Sequence, residues 1–524
     1  MTEGVRQPGS ADVSHAHSVR CAWTVFVLGT VFLLVLSTVF YPKAPVSIDE
    51  VRYMSAAHHL LTGKAFDRWS EAWFWKPRLD GETFERMFYS LSPAYSGLLT
   101  PFVAVDWRSV FLLGTLAHLG AFGGVVHVMR RRGLHPAWAV LYLLHPTAVL
   151  YSRMAMAELP STALVVLVLV LLDRERPRAF LAGLVMGLTV LLKLSNVSVV
   201  AVFAVGCFVM SFVTDGGASV LRRLRRPLWM GLGMLPGIVA LLWSNTYFFN
   251  SPLGNAYIGM EGGMFGWTFF SENFPFYAGA LATVYPLMLV APVFLRGRLR
   301  WQMRLSCVAA LLFFGAYYYR DAGNSTVEEL VRGLRFQLIV LPFYVLAYAE
   351  MIERLLIRLS WRRFMLPVLL TGLVLLAAGD IVMSREQCRH TLREYAAHER
   401  LTNALPGSGT LIVRTKYLNP VMNPGLRIIT PRSGPDFVWG LKHGDFPALM
   451  VVNEGSLIRT EAYRDHADAS TRYMLEMVER FYEVVPYDRP VEGFVIEELL
   501  RKREIRDKPR WTLLPFPGWR GEDP

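Results

Sequence analysis

The chain has little charge for its length, few cysteines and no internal repeat or low-complexity tract. Charged residues make up 18% of its 524 residues, whereas 53% are hydrophobic. This balance, with a mean hydropathy of +0.33, excludes an ordinary soluble protein. The cysteines, Cys21, Cys207, Cys307 and Cys388, show no ligand spacing, so they indicate neither a metal site nor a disulfide framework.

The apolar residues lie in long runs, several of which reach the roughly 20 residues that cross about 30 Å of hydrocarbon. The first run exceeds the apolar core of a signal peptide and has no cleavage site after it, so we expect a retained helix. The sequence predicts an all-α polytopic membrane protein with about 11 transmembrane helices. These lie near residues 21–41, 109–129, 136–150, 160–172, 178–192, 196–214, 228–248, 277–295, 302–319, 335–352 and 364–383.

The net charge of +12 reflects membrane topology and does not indicate nucleic-acid binding. Arginines cluster in every second connection between the predicted spans, and cytoplasmic loops are the ones that collect basic residues. The clusters lie at 130–132, 174–178, 222–226, 296–304 and 354–363. We therefore expect a plasma (inner) membrane protein with a cytoplasmic N-terminus and an extracytoplasmic C-terminal region.

Two long segments lie outside the predicted spans. The first extracytoplasmic loop, 42–108, mixes charge with aromatic residues, which favours short interfacial helices. A re-entrant or spanning helix at 88–106 is the open alternative. Beyond residue 383 we predict a polar helix over 384–403, strands at 411–413, 426–429 and 448–452, and a helix over 471–485.

The sequence thus predicts three parts: a cytoplasmic tail over 1–20, a transmembrane catalytic domain over 21–383, and a small extracytoplasmic α/β domain over 384–524.

Charged and polar residues collect in the connections that are predicted to face outward. Carboxylates are costly near a bilayer and often mark a pathway or a reaction. A carboxylate beside an acceptor hydroxyl can act as a general base, and Lys or Arg can neutralise a phosphate. The residues concerned are Asp49, Glu50, Arg153, Glu158, Lys193, Asn196, Glu261, Arg332 and Arg335.

Structural explanations of the same residues stay open. Asp49 and Glu261 could be solvated loop charges, and Glu158 could be a helix-start residue favoured by the helix dipole. Lys193 could snorkel from the end of a span, and Arg335 could anchor a helix at the interface.

The order of these motifs along the chain resembles the GT-C superfamily of polytopic glycosyltransferases, which use polyprenyl-phosphate sugars as donors. Similar members are the protein O-mannosyltransferases and the lipid A aminoarabinose transferases. The resemblance covers most of the first 350 residues. The matching segments are Asp49-Glu50 with Tyr53, Ser92-Pro93-Ala94-Tyr95 through Pro101, 151–158, 187–193, 250–257 and 335–342.

The resemblance implies an inverting sugar transfer to an acceptor hydroxyl on the extracytoplasmic face, with Asp49 as base or acceptor-orienting group. It also implies that Glu50 supports Asp49 and that Glu158 lines the same pocket. The acceptor could be a glycan, a lipid or a protein, and no nucleic acid is expected. The substrate-binding residues are then Tyr53, Arg153, Lys193, Asn196, Arg332 and Arg335.

One departure from the family pattern concerns the donor phosphate. In the relatives a lysine precedes the second motif and contacts that phosphate, whereas Leu91 and Ser92 stand there in this chain. Lys76, Arg78, Arg86 or Lys193 would have to replace it. No cofactor is required by the sequence. Metal use varies in the superfamily, so a divalent metal stays open.

Other functions are a membrane transporter or flippase, a polysaccharide polymerase or ligase of the cell envelope, and a non-catalytic scaffold. A transporter predicts charges buried within spans and broken helices in paired halves. A polymerase would rely on Arg and His in a large outer loop, and a scaffold needs no carboxylates at helix mouths.

Overall fold

The computed structural model describes residues 9–67, 70, 72–77, 84–88, 91–214, 219–254, 265–320, 325–358, 362–414, 418–429, 449–454 and 478–502. The helices are α1 Gly9–Val39, α2 Ile48–Leu61, α3 Pro93–Val105, α4 Val110–Arg131, α5 Val140–Leu143, α6 Pro146–Tyr151, α7 Glu158–Leu172, α8 Ala179–Leu192, α9 Val197–Thr214, α10 Val220–Phe249, α11 Trp267–Val284, α12 Arg300–Gly315, α13 Thr326–Gly333, α14 Leu341–Arg358 and α15 Arg362–Ala404. The strands are β1 Trp73–Pro77, β2 Phe84–Phe88, β3 Gly409–Arg414, β4 Leu426–Ile429, β5 Leu449–Glu454, β6 Tyr482–Pro486 and β7 Phe494–Arg501. The predicted fold class, a helical membrane protein with a small C-terminal strand region, is confirmed.

Within the described residues, six helical segments are long and apolar enough to cross a membrane. They are Val19–Val39, Trp107–Arg131, Leu194–Val213, Arg223–Phe249, Thr326–Leu355 and Pro367–Ala404. Each overlaps a span predicted from the sequence, although Thr326–Leu355 begins before its predicted span at 335 and Pro367–Ala404 continues past its predicted end at 383. Two further predicted spans fall on shorter apolar helices, α7 and α8, and a third falls on α12, which has 16 residues.

Proline divides the apolar run at 136–150 into three short helical pieces. Pro136 opens a 3-10 turn, α5 follows it, and Pro146 opens α6. Proline suits the first turn of a helix, where its missing N–H is not needed, but it interrupts a helix interior. This run is therefore not one continuous helix.

The chain divides into two compact units. The first unit comprises Met1–Tyr41, Phe111–Leu241 and Gly263–Cys388, and the second comprises Pro42–Val110, Leu242–Gly262 and Arg389–Pro524.

In the first unit, glycines allow α8 and α10 to pack with their backbones in contact. A Cβ atom at Gly183 would lie 1.9 Å from the carbonyl oxygen of Met230, and one at Gly237 would lie 2.4 Å from the carbonyl carbon of Gly187. Glycines four residues apart on each helix therefore face the neighbouring backbone, which is a common arrangement between membrane helices.

An ion network joins the arginine-rich ends of helices in the first unit. Arg132, directly after α4, pairs with Asp173 at the end of α7 (Nε to Oδ2, 2.9 Å) and with Glu350 of α14 (Nη1 to Oε1, 3.4 Å). Arg354 pairs with the other oxygen of Glu350 at 3.3 Å. These partly buried pairs fix the ends of α4, α7 and α14 to one another.

In the second unit, the segment 42–108 contains more than the predicted short helices. The helices α2 and α3 are present, but β1 and β2 form an antiparallel hairpin between them. Trp73 and Phe88 lie opposite each other in that hairpin, and both rings contact Phe248. The prediction of short interfacial helices did not include this hairpin, in which aromatic residues pair across strands. At 13 residues α3 is also too short to cross a bilayer alone.

The C-terminal part of the second unit contains a five-stranded mixed sheet of order β4-β3-β5-β7-β6. The strand β3 is parallel to β4 and β5, whereas β7 is antiparallel to β5 and β6. The three strands predicted from the sequence are present, and the predicted helix over 384–403 is the end of α15. The predicted helix over 471–485 was wrong at its end, where β6 begins at Tyr482; residues 471–477 lie outside the described residues.

Candidate active site

The acidic pair Asp49-Glu50 lies in the first turn of α2, in the second unit. Ser47 caps this helix: its hydroxyl accepts a hydrogen bond from the Glu50 N–H at 3.2 Å. The Glu50 carboxylate in turn accepts from the N–H groups of Val46 and Ser47, at 2.9 and 3.0 Å. This reciprocal capping box accounts for the burial of Glu50, which is 1% exposed. Glu50 therefore stabilises the first turn of α2.

Asp49 takes no part in the capping box, and its side chain is half-buried. It lies at the second helical position, where the positive end of the helix dipole stabilises a negative charge. A partly accessible carboxylate at such a position can accept a proton from a hydroxyl.

Tyr53, one turn after Asp49 on α2, is buried with 2% of its surface exposed. Its ring meets that of Tyr95 on α3 edge-to-face, with the centroids 4.7 Å apart. Tyr53 and Tyr95 belong to two of the segments that resemble the GT-C superfamily, so this aromatic pair joins those two segments within the second unit. The predicted role of Tyr53 in substrate binding stays a prediction, while its packing role is visible.

In the first unit, Glu158 is the centre of a buried ion cluster. It is the first residue of α7, and one carboxylate oxygen, Oε1, accepts from Lys193 Nζ at 2.7 Å and from Arg335 Nε. The exposed fractions of the Glu158, Lys193 and Arg335 side chains are 4%, 16% and 5%. These residues lie far apart in the sequence: Glu158 is at the start of α7, Lys193 follows the end of α8, and Arg335 is in the 3-10 turn Leu334–Val340 before α14.

The two cations keep the Glu158 carboxyl ionised. Burial by itself would raise its pKa, but Arg335 and Lys193 outweigh burial and hold the pKa of Glu158 below its usual range. Phe336 lies beneath both cations, with its ring centroid 4.9 Å from Lys193 Nζ and 5.2 Å from the Arg335 guanidinium carbon. A carboxylate paired in this way accepts a proton poorly, and it keeps the two cations close to each other.

Asn196 follows Lys193 closely in the sequence and is buried, and its side-chain amide joins two helices. Its Nδ2 donates to the Ser161 hydroxyl of α7 and to the Thr189 carbonyl of α8, each at 2.8 Å. Both amide hydrogens are therefore committed. These contacts account for a buried amide at Asn196 without a bound ligand, and they give no support to the prediction that it binds substrate.

Arg153 lies between α6 and α7 and is 1% exposed. Its Nη2 donates to the carbonyl of Phe40 at the end of α1, but Nε and Nη1 have no hydrogen-bond partner among the described residues. Burial lowers the pKa of Arg153 to about 10, so the guanidinium remains charged at neutral pH. A buried cation of this kind is costly unless an anion pairs with it.

The remaining predicted residues are less informative. Arg332 forms an ion pair with Glu328 one turn earlier in α13, at 2.8 Å. Glu261, Arg78 and the side chains of Lys76 and Arg86 lie outside the described residues. Where the structure is described, no three His, Cys, Asp or Glu side chains come together in a way that would hold a metal ion.

Sequence reasoning missed the residues that support the site. Ser47, Ser161 and Phe336 position Glu50, Asn196 and the Lys193–Arg335 pair, respectively. Of these, only Ser47 carries a sequence signal, because Ser followed three residues later by Glu is a helix-start signature. The statement that Asp49 and Glu158 line the same pocket stays a prediction.

The described chain is a helical membrane protein with a small C-terminal sheet. The same fold is seen in two crystal structures of ArnT, the lipid A aminoarabinose transferase, from Cupriavidus metallidurans. The apo structure is 13% identical with a TM-score of 0.56, covering 94% of this chain and 98% of that one. The structure bound to undecaprenyl phosphate is 14% identical with a TM-score of 0.54, covering 90% and 97%. No family model and no curated protein matches the sequence. At this identity the likeness establishes the fold, as the sequence motifs predicted.

Proposed function

We propose that the protein is an integral membrane glycosyltransferase of the plasma (inner) membrane. It moves a sugar from a polyprenyl-phosphate donor to an acceptor hydroxyl on the extracytoplasmic face, with inversion at the anomeric carbon. The fold is shared with an ArnT that was crystallised with undecaprenyl phosphate, which supports a donor of this class. The proposal rests on three buried or partly buried cations near helix ends of this chain, Arg153, Lys193 and Arg335.

The donor phosphate is bound by cations of the first unit. Arg153 supports this assignment most directly, because it is buried, charged and has two nitrogen atoms without partners among the described residues. A guanidinium can bind a phosphate through two parallel hydrogen bonds, which would offset the cost of burying the charge. Lys193 and Arg335, held together on one oxygen of Glu158, add positive potential in the same unit.

The chemical step is a displacement at the anomeric carbon. The acceptor hydroxyl oxygen forms the new bond, the bond between that carbon and the phosphate oxygen breaks, and polyprenyl phosphate leaves with the electron pair. Asp49 takes the proton of the acceptor hydroxyl, since its carboxylate is only half-buried and lies in the first turn of α2. Glu50 keeps that helix start in place through the capping box.

Glu158 acts as a positioning residue in this scheme. Its paired carboxylate holds Lys193 and Arg335 in a single arrangement, so that their charges are fixed before the donor arrives. This mechanism does not require the predicted substrate-binding roles of Tyr53, Asn196 and Arg332.

The proposal is tested by incubating the purified protein with radiolabelled polyprenyl-phosphate sugars and a membrane-envelope extract as acceptor source. We expect sugar to leave the lipid and appear on an acceptor. Arg153→Met should raise KM for the donor, and Arg153→Lys should recover part of the loss. Arg225→Met, at an exposed arginine of α10, is the matched control. Lipid movement across vesicles with no sugar release would instead indicate a flippase and overturn the proposal.

A further inference from the structure

A cavity opens at the arginine-rich end of the first unit, among the ends of α7, α9, α10 and α12. Its volume is about 640 Å³ including the open mouth. The walls are mainly apolar and include Leu172, Met210, Met230 and Leu299, and two arginines, Arg226 and Arg298, also line the cavity. Apolar walls with cations among them suit an amphipathic anion.

The two arginines differ from those of the neighbouring ion network. Arg132 and Arg354 pair with carboxylates, whereas among the described residues neither Arg226 nor Arg298 has a carboxylate partner. Both side chains are exposed. Arg226 is on α10 and Arg298 precedes α12, so two separate parts of the chain bring guanidinium groups to one cavity. Guanidinium groups bind phosphate oxygens in bidentate fashion, and basic pockets between membrane helices bind anionic lipid headgroups.

Gln302 of α12 adds a polar group to the lining. Its side chain is buried, and its Nε2 donates to the Gly206 carbonyl at 3.5 Å. Its Oε1 is buried and has no hydrogen-bond partner in the described part of the chain. An unsatisfied buried acceptor costs free energy until a donor reaches it. A ligand with a hydroxyl group beside its phosphate would satisfy Gln302 and the arginines together.

The outer surface of α10 next to the cavity suits acyl chains. Leu228, Trp229 and Leu232 follow Arg226 on this helix and are 57%, 49% and 49% exposed. In a membrane-spanning helix such residues face hydrocarbon. A headgroup held at Arg226 can therefore direct its chains along an apolar surface.

We propose that this cavity binds an anionic glycerophospholipid whose headgroup carries a hydroxyl, as phosphatidylglycerol does. Arg226 and Arg298 bind the phosphodiester, Gln302 Oε1 accepts a hydrogen bond from the headgroup hydroxyl, and the chains lie along the apolar walls. The bound lipid joins the ends of α9, α10 and α12. This site is independent of the proposed sugar transfer.

Binding is measured by native mass spectrometry on the purified, delipidated full-length protein, titrated with phosphatidylglycerol, phosphatidylcholine or inorganic phosphate. We expect phosphatidylglycerol to bind, and the Arg226→Ala/Arg298→Ala variant to bind it about tenfold more weakly or worse, the equivalent of one charged hydrogen bond. The control Arg225→Ala/Arg300→Ala removes the same charge from exposed neighbours outside the cavity lining and should bind normally.

The headgroup contact has its own comparison. The native protein should prefer phosphatidylglycerol to phosphatidylmethanol, which has the same charge but no hydroxyl, and Gln302→Leu should abolish that preference. Equal losses in the two double-arginine variants, equal binding of phosphatidylcholine, or binding of inorganic phosphate as strong as that of the lipid would each overturn the proposal.

Discussion

Replacing Glu158 by Gln should destabilise the first unit strongly, because it removes the carboxylate that the buried Arg335 and the partly buried Lys193 share. Lys193 and Arg335 both contact Oε1, and the three side chains are at most 16% exposed. Breaking a buried ion pair by removing one partner typically costs about 3–5 kcal/mol. We therefore expect Glu158→Gln to lower the free energy of unfolding by about that amount.

The change can be measured by equilibrium unfolding in mixed micelles of increasing SDS content, followed by tryptophan fluorescence. A matched control is Glu328→Gln, which makes the same substitution in the more exposed pair with Arg332, where the side chains are 29% and 17% exposed. An ion pair that water reaches contributes less than a buried one, about 0–1 kcal/mol when fully exposed, so this control should lose much less stability than Glu158→Gln.

A second variant separates charge from packing. Removing one cation as well, in Glu158→Gln/Lys193→Met, should recover part of the stability, because one of the two cations that lost the Glu158 carboxylate is then gone. If Glu158→Gln were as stable as Glu328→Gln, or if the double variant were less stable than Glu158→Gln, the ion cluster would not be the stabilising feature described above.

Two further predictions concern helix packing. Asn196→Ala removes two buried hydrogen bonds and should lower stability by about 1–3 kcal/mol, while KM for the donor, measured in the transfer assay, stays unchanged. Gly237→Ala places a Cβ against the backbone of Gly187 and should cost about 1–3 kcal/mol in the same unfolding assay. Gly231→Ala on the same helix meets nothing within 4 Å and should be neutral or slightly stabilising.

The membrane helices were the most predictable part of the fold. A long apolar run carries its own signal, and all six helices of spanning length lie on predicted runs. Runs that contain Pro136 and Pro146 were less predictable in detail, since apolar composition alone does not show where a helix breaks. The same limit applies to 277–295, where α11 ends at Val284.

The hairpin β1–β2 and the strands β6 and β7 were missed because their pairing is not local. The rings of Trp73 and Phe88 contact each other, and both contact Phe248, which lies far along the chain. Similarly, β7 pairs with β5, which lies about 40 residues earlier in the chain, a separation over which residue patterns carry little information.

For the site, the sequence identified the charged residues but not their partners. It placed Glu158, Lys193 and Arg335 in separate outward connections, and the structure shows that the three form one cluster. The capping role of Glu50 could have been predicted from the spacing of Ser47 and Glu50, whereas the half-buried setting of Asp49 depends on packing that the sequence does not show. The burial of Arg153 was equally invisible, as it depends on packing against the end of α1.

The most direct test of the central claim is the rate of sugar transfer by Asp49→Asn at saturating donor. Asp488→Asn, in the exposed turn between β6 and β7, provides the matched control. Loss of a general base should reduce the rate about 10²–10⁴-fold in Asp49→Asn, with donor binding unchanged and the control fully active. An Asp49→Asn protein that folds and transfers sugar at the native rate would contradict the account.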